Sequence, residues 1–273
     1  MPVPAPPSGR EVGEAYDAIA ADYDRLVAED RWMRELLWAH YRRLWRAGDR
    51  VLDVACGTGL DTLFLAGRGV RMTGIDVSRG MIARLREKAE RQGLAERIDA
   101  RALDAAELSS LPAAGFDGLL SAFAGLNTVD LAGFAAAAAR LLRPGGRAVL
   151  HLLAPAGVWS RLGRLARLDW RLAGELGRRR ERAAEISGQQ IRHALLPAGE
   201  TYSAFFASRF RLRRAYALGF LWPQPAGRRL PAGLARQLGR LEPRLGAHRP
   251  FLGWGRFFVL DLERRTLEGE SAL

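Results

Sequence analysis

The chain has 273 residues, of which 48% are hydrophobic and 26% charged, and these values are ordinary for a globular protein with one large domain. Its single cysteine, Cys56, excludes an intramolecular disulfide and favours a reducing, cytoplasmic location, and no apolar run reaches the roughly 18–20 residues of a membrane span. The net charge of +12 comes almost entirely from arginine, because Lys88 is the only lysine, and without interleaved aromatic residues it argues only weakly for nucleic-acid binding.

The N-terminal region is predicted to be a short tail followed by helices. Residues 1–12 are rich in proline and have no apolar signal-peptide core, so we expect a disordered tail. Apolar residues at helical spacing then run through residues 14–24 and 32–45. We interpret residues 13–48 as a helical gate, in which two tyrosines stand in the sequence YDAIAADYD.

Residues 51–59, with the sequence VLDVACGTG, are the most informative stretch of the chain. A short strand of buried character carries Asp53, a turn of small residues follows, and a helix is predicted over residues 61–66. In an open α/β sheet, ligands bind beyond the carboxyl end of such a strand, and glycines allow the backbone to approach them. The GxGxxG pattern of nicotinamide-binding folds fails at Thr62, which stands where glycine or alanine is required.

Strands and helices alternate from here to residue 153, which implies parallel βαβ units. The second predicted strand ends at Asp76, at a spacing that fits a contact to both ribose hydroxyls of a nucleoside. The further strands are predicted over residues 70–76, 98–103, 116–121 and 148–153, and the further helices over residues 81–91 and 131–142.

The motifs VLDVACGTG and GIDVS (residues 74–78) resemble those of the class I S-adenosylmethionine (SAM)-dependent methyltransferases of the small-molecule type. The resemblance covers about residues 16–153. It implies a Rossmann-like, doubly wound α/β fold with a mostly parallel seven-stranded sheet, an antiparallel C-terminal hairpin and a helical lid insertion. It also implies one domain over residues 13–273, divided into the gate, a SAM-binding core (49–154), the lid (155–200) and C-terminal strands and loops (201–273).

Beyond residue 155 the alternation breaks. We predict a basic helix over residues 158–184, strands over 205–216 and 255–262, and a surface loop over 223–253. The helix is interpreted as a lid over the substrate, although an arginine-flanked amphipathic helix can also rest on an anionic membrane. Aromatic residues of this region favour a sizeable apolar acceptor; they are Trp159, Trp170, Phe205, Phe206 and Trp222.

The resemblance assigns roles to single residues. Asp53 orients the glycine loop and meets the amino group of the cofactor, while Gly57 and Gly59 let its methionyl chain pass. Ala55 stands where many family members have glycine. Asp76 binds the ribose, and each of these residues also fits an ordinary structural role. The predicted SAM-binding residues are Tyr16, Tyr23, Asp53, Ala55, Gly57, Gly59, Asp76, Val77, Met81, Asp104, Ala105, Ser121 and Phe123.

In the family, Val77 and Met81 would flank the adenine, Asp104 would accept its amino group, and the N–H of Ala105 would meet a ring nitrogen. Ser121 and Phe123 follow the fourth strand near the methyl group, and the tyrosines would face the sulfonium. The same loop lacks the Asn/Asp-Pro-Pro-aromatic tetrad of enzymes that methylate the amino groups of bases. This absence argues against a nucleic-acid partner.

A general base is needed only if the nucleophile must lose a proton. His151, at the exit of the fifth predicted strand, is the best-placed candidate, with a hydrogen-bonded strand-end histidine as the alternative. We predict a SAM-dependent methyltransferase acting on a small, largely apolar metabolite, without a metal site. An RNA or other macromolecule methyltransferase and a non-catalytic SAM-fold binding protein are the alternatives. The sequence indicates no oligomeric state, and peripheral membrane contact stays open.

Overall fold

The computed structural model describes residues 5–166, 179–221 and 232–266. Within these ranges, seven strands form one sheet with the order β3-β2-β1-β4-β5-β9-β8, and two form a separate hairpin, β6-β7. Strands β1 to β5 are parallel, and β9 runs antiparallel to β5 and β8. The predicted seven-stranded sheet with its C-terminal hairpin is therefore confirmed. The strands are β1 (Arg50–Val54), β2 (Arg71–Asp76), β3 (Ile98–Ala102), β4 (Phe116–Ser121), β5 (Leu142–Leu153), β6 (Glu181–Ile186), β7 (Gln189–Ala194), β8 (Phe210–Leu218) and β9 (Phe257–Arg264).

Helices lie on both faces of this sheet. Among the described residues, none of them is both long and apolar enough to cross a membrane. The helices are α1 (Gly9–Ile19), α2 (Tyr23–Leu26), α3 (Arg31–Leu44), α4 (Leu60–Ala66), α5 (Arg79–Arg91), α6 (Leu131–Leu141), α7 (Val158–Leu165), α8 (Ala198–Thr201) and α9 (Ala232–Leu245).

The central strand β1 is buried from both sides. Leu52 and Val54 pack in the cluster that contains Phe134 of α6, whereas Val51 packs in the cluster that contains Met33 of α3. A parallel strand covered on both faces reads as a continuous apolar run rather than an alternating one. This explains why the chain carries hydrophobic residues at consecutive positions here.

The carboxyl ends of the parallel strands meet at one edge of the sheet. Asp53 near the end of β1 pairs with Leu120 of β4. Strand β9 begins at the same edge, because its first residue, Phe257, pairs with Leu153 at the end of β5. The loops after β1 to β5 and the segment before β9 therefore surround the edge at which open α/β sheets bind ligands.

The N-terminal helix begins earlier than the sequence suggested, so the predicted tail over residues 1–12 is wrong for residues 9–12. Ser8 caps α1: its Oγ accepts a hydrogen bond from the N–H of Glu11, and the Glu11 carboxylate accepts one from the N–H of Ser8 (2.9 Å). This reciprocal capping box satisfies two donors at the helix start. Proline-rich composition upstream concealed the start of the helix.

The predicted helix over residues 158–184 and the predicted loop over residues 223–253 also need correction. Residues 181–184 lie in β6, which pairs with β7 from Glu181 to Ile186, and residues 232–245 form α9. Phe206 is fully buried in the core, whereas the sequence analysis placed it in the lid region near the acceptor. Trp170 and Trp222 lie outside the described residues.

Helix α1 and the β6-β7 hairpin together cover the ligand-binding edge. Val12 and Ala15 of α1 pack on Ile191 of the hairpin. At its carboxyl end, Asp17 accepts hydrogen bonds from the Ser78 hydroxyl (2.6 Å) and the Gly80 N–H (2.7 Å) at the start of α5. The described part of the predicted helical lid is thus α7 followed by a hairpin that packs on the gate.

Helix α9 is joined to the end of β8 through Glu242, which is fully buried and accepts hydrogen bonds from the N–H groups of Gly219 (2.6 Å), Phe220 (3.0 Å) and Leu221 (2.8 Å). Replacing Glu242 with glutamine turns one acceptor atom into a donor that faces an N–H group. We expect Glu242→Gln to lower the free energy of unfolding by about 2 kcal/mol in urea titrations. The half-exposed Glu200→Gln is the control, and equal stability of both variants would contradict the role of Glu242.

Candidate active site

A cavity with about 970 Å³ of space, including its open mouth, lies at the carboxyl edge of the sheet. Nine of the thirteen predicted cofactor residues line it, namely Tyr16, Tyr23, Ala55, Gly57, Asp76, Val77, Asp104, Ala105 and Phe123. One cavity is therefore lined by segments that are far apart in sequence, namely the gate, the glycine loop and the loops after β2, β3 and β4.

The glycine loop between β1 and α4 follows an unusual backbone path. Ala55, Gly57 and Gly59 have φ angles of 55°, 55° and 80°, in the left-handed region that favours glycine. A Cβ on Gly59 would lie 2.2 Å from Leu85 Cδ1, so glycine is required for packing against α5. Gly59 therefore lies on the side of the loop that faces α5 and does not line the cavity. This differs from its predicted contact with the cofactor.

Asp76 stands at the end of β2 with its carboxylate directed at the glycine loop. Its Oδ2 accepts a hydrogen bond from the Gly57 N–H (2.8 Å) and its Oδ1 accepts one from the Ser78 N–H (2.9 Å). Burial raises the pKa of Asp76 to about 6, although these two hydrogen bonds favour the charged form. The carboxylate lines the cavity and can accept further hydrogen bonds from a ligand with two adjacent hydroxyls.

This raised pKa predicts a pH-dependent affinity for a ribose-containing ligand. The diol donates hydrogen bonds, so it binds the carboxylate form, which is depleted as the pH falls through about 6. We expect the dissociation constant for such a ligand to rise about tenfold between roughly pH 7 and pH 5 in calorimetry. Asp76→Asn removes this titration and should flatten the profile. An unchanged wild-type profile would show that Asp76 does not bind the ligand in its charged form.

Residues 103–106, which follow β3, line another part of the same cavity. Asp104 lines it beside Ala105, and its Oδ1 accepts a hydrogen bond from the Ala106 N–H (2.9 Å). A Cβ on Gly9 would lie 1.6 Å from Asp104 Oδ2, so the start of α1 lies directly against this carboxylate. Met81 does not reach the cavity: it is 1% exposed and packs in the interior, where its N–H donates to Ser78 Oγ.

The two gate tyrosines meet edge-on above the glycine loop, with 6.3 Å between ring centroids. Burial raises the pKa of Tyr16 to about 12 and that of Tyr23 further, so both hydroxyls stay protonated at neutral pH. Asp24, next to Tyr23, anchors the end of the gate segment. Its carboxylate accepts hydrogen bonds from the Thr58 hydroxyl and from Lys88 Nζ (2.8 Å). The gate is thus fastened both to the glycine loop and to α5.

Asp53 lies deeper than predicted. It is 1% exposed, accepts a hydrogen bond from the Thr62 hydroxyl (2.6 Å), and borders a smaller cavity beside the main one. Burial, with the nearby Asp61 carboxylate, raises its pKa well above the usual range. Asp53 therefore lines the smaller cavity and not the main one.

The smaller cavity also contains an ion pair that sequence analysis missed. Arg34 of α3 pairs with Asp61 of α4, and both side chains are almost completely buried. Asp61 also accepts a hydrogen bond from Trp38 Nε1 (2.8 Å). The Arg34 guanidinium carbon lies 4.2 Å from the centroid of the Phe123 ring, within cation–π range. This pair supports Phe123 at the wall shared by the two cavities.

The structure argues against His151 as a general base. His151 is 1% exposed and does not line the main cavity, and burial lowers its pKa to about 3. Its Nδ1 accepts a hydrogen bond from the N–H of Phe123 (3.2 Å). Ser121 is equally buried and also absent from the lining. His151 therefore positions the loop after β4, which fits the alternative of a hydrogen-bonded strand-end histidine and corrects its prediction as a general base.

The cavity is also lined by residues that were not among the predicted site residues. The loop after β4 contributes Ala122, Ala124 and Gly125, and the start of α1 contributes Gly9 and Val12. The pattern Ser-x-x-Glu at residues 8–11 is a helix-start signal that could have placed α1 correctly. Small apolar residues in a loop carry no comparable signal.

Comparison with known proteins identifies this arrangement. A family model described as a methyltransferase domain matches residues 51–146. A demethylmenaquinone methyltransferase from Tropheryma whipplei (strain Twist) is 33% identical over 147 residues, which span 51% of this chain and 58% of that protein. A phosphatidylethanolamine N-methyltransferase from Cereibacter sphaeroides is 35% identical over 138 residues, or 49% of this chain and 67% of that protein. Several relatives are thus matched over little more than half of their length.

The fold is shared with the crystal structure of the [4+2]-cyclase SpnF, at a TM-score of 0.62 and 20% identity over 98% of this chain and 100% of that one. Because the identity is low, this likeness shows the architecture alone. Together with the matched family model and relatives, it leads to one conclusion. The chain belongs to the class I SAM-dependent methyltransferases, whose cofactor is SAM.

Proposed function

We propose that this protein transfers a methyl group from SAM to a small, largely apolar metabolite. The observation that carries the proposal is the composition of the main cavity. Three carboxylates line it: Asp76 and Asp104 follow β2 and β3, and Asp130 caps α6. Phe123 and the small residues after β4 form an apolar wall. Such a cavity suits a nucleoside at its polar end and an apolar acceptor at the other.

The residues present fit the cofactor. Gly57 lines the cavity in a left-handed conformation, so the ligand can approach its backbone without meeting a Cβ. Asp76 would hold the ribose hydroxyls, Asp104 and Ala105 would hold the adenine, and Val77 would pack against its ring. Asp53, which borders the adjoining cavity, would accept a hydrogen bond from the amino group of the methionyl chain.

When bound, SAM supplies an activated methyl group on a sulfonium whose departure leaves a neutral thioether. The chain contributes alignment and exclusion of water. Tyr16 and Tyr23 close the space above the glycine loop, and their rings can favour a positive charge. The neutral His151 fixes the backbone of Phe123, which faces the acceptor space.

Two relatives support the apolar acceptor, because their names specify demethylmenaquinone and phosphatidylethanolamine. The loop after β4 supports it as well, since it lacks the tetrad typical of base amino-methylation. A cytoplasmic location belongs to the same proposal and depends on the free thiol of Cys56.

The test combines binding with transfer. Calorimetry should show micromolar binding of SAM and S-adenosylhomocysteine and none of NAD. Incubation with methyl-labelled SAM and a cell extract should place label in the organic-soluble fraction. Label in acid-precipitated RNA or protein would refute the small-molecule acceptor, and tight binding without any transfer to the extract would favour a non-catalytic protein.

A further inference from the structure

Four aromatic side chains form a connected cluster that reaches the surface, in which Phe220 is buried and Phe251 is partly exposed. Trp159 Nε1 donates a hydrogen bond to the Phe220 carbonyl (2.8 Å), the Phe220 ring stacks on Phe251 with centroids 5.7 Å apart, and Phe251 meets Trp254 edge-on at 5.1 Å. Both tryptophans stay 37% exposed, and Leu162, one helical turn beyond Trp159, is 45% exposed. We call these five residues the aromatic patch. Exposed, contiguous large apolar side chains of this kind mark interaction surfaces.

The aromatic patch lies at the same edge of the sheet as the cofactor cavity. Helix α7 follows the end of β5, Phe220 follows the end of β8, and Trp254 precedes β9. Phe257, the first residue of β9, pairs with Leu153 and with Leu218 at the ends of those neighbouring strands. The patch therefore lies at the carboxyl edge of the sheet, on the side of β5, β9 and β8.

Two basic segments of the chain contain four of the five residues of the aromatic patch, all except Phe220. Residues 155–180 contain seven arginines and two acidic residues, and residues 244–256 contain three arginines and no acidic residue. Together these segments hold +8 of the net charge of +12. Arg244 and Arg249 are exposed, whereas Arg256 pairs with Asp30 (3.0 Å). Two thirds of the net charge of the chain therefore falls in these two segments of the sequence, with Arg249 two residues before Phe251.

We infer that the aromatic patch docks on the surface of an anionic lipid bilayer. Tryptophan rings prefer the interfacial region of a membrane, and arginines close to it are attracted by anionic headgroups. Tryptophans and arginines together therefore fit a membrane surface, where apolar chains meet charged headgroups. Docking in this orientation brings the edge of the sheet with the SAM cavity to the membrane, from which an apolar acceptor can be taken up. The docking itself does not depend on which acceptor is methylated.

Flotation with vesicles tests this inference on the whole chain of 273 residues. We expect the wild type to float with vesicles of phosphatidylcholine and about one third phosphatidylglycerol, and to stay at the bottom with pure phosphatidylcholine. About 0.5 M salt should release it, because exposed charges are then screened. Trp159→Ala/Trp254→Ala and Arg244→Glu/Arg249→Glu should each lower the bound fraction at least about tenfold.

The matched control is Arg211→Glu/Leu212→Ala in β8. Both residues are exposed, and Leu212 lies six residues before the end of that strand, roughly 20 Å from the patch edge. This variant should float like the wild type. Equal loss in all three variants, binding to neutral vesicles alone, or displacement of the wild type by single-stranded RNA would each overturn the inference.

Calorimetry with SAM keeps this inference separate from the proposed function. The patch variants should bind SAM like the wild type, which shows that they are folded and that only docking is lost. Failure of SAM binding in every variant and in the wild type would refute the proposed function and leave the vesicle result standing.

Discussion

Replacing Asp76 with alanine should weaken binding of SAM and S-adenosylhomocysteine at least about 100-fold. A hydrogen bond to a charged group contributes roughly 1.5–3 kcal/mol, and the ribose diol offers two donors to this carboxylate. The side chain also accepts the N–H groups of Gly57 and Ser78, so its removal loosens the glycine loop that contacts the ligand. Isothermal titration calorimetry with S-adenosylhomocysteine measures the effect directly.

Two further variants show whether a loss of affinity in Asp76→Ala comes from lost binding or from unfolding. Asp99→Ala, in the neighbouring strand β3, removes an exposed carboxylate and should leave affinity within about twofold. Asp76→Asn keeps one acceptor oxygen and should lie between the alanine variant and the wild type. If Asp76→Ala unfolds at the wild-type temperature and still binds the ligand normally, the assignment of this cavity to SAM is wrong.

The sequence predicted those site residues whose local pattern also fixes their position at the edge of the sheet. Asp76 follows a buried strand and precedes a helix start at Ser78, so its place at the sheet edge followed from the alternation of elements. Gly57 lies in a left-handed turn that small residues signalled. The same reasoning placed Asp104 and Phe123 beside them, although it could not separate residues that line the cavity from those behind it, such as Gly59.

The parts that sequence could not supply depend on contacts between distant segments. Arg34 lies on a helix that was predicted correctly, but its burial depends on α4, 27 residues later. Strand β6 contains alanines and glutamates that favour a helix, and only its pairing with β7 makes it a strand. Helix α9 contains Pro243 and follows a proline- and glycine-rich stretch, so its tertiary contact through Glu242 overrides the local signals.

Replacing Asp61 with alanine should destabilise the protein by about 4 kcal/mol, because it leaves the guanidinium of Arg34 buried without its counter-charge. Both side chains are under a tenth exposed, so water cannot replace the lost partner. Trp38 Nε1 also loses its acceptor. Urea denaturation of the wild type and Asp61→Ala gives the change in the free energy of unfolding.

Replacing both partners together distinguishes a buried charge from a general loss of packing. Arg34→Met/Asp61→Leu removes both charges with apolar groups of similar size, and it should recover most of the stability lost in Asp61→Ala, since a buried pair is often replaceable as a unit. Asp22→Ala, which breaks the exposed pair with Arg25, should change stability by less than about 1 kcal/mol. If the double variant is no more stable than Asp61→Ala, shape rather than charge governs this site. If the double variant is stable but binds SAM weakly, the charges of Arg34 and Asp61 also serve cofactor binding, because their loss then matters when the ligand is present.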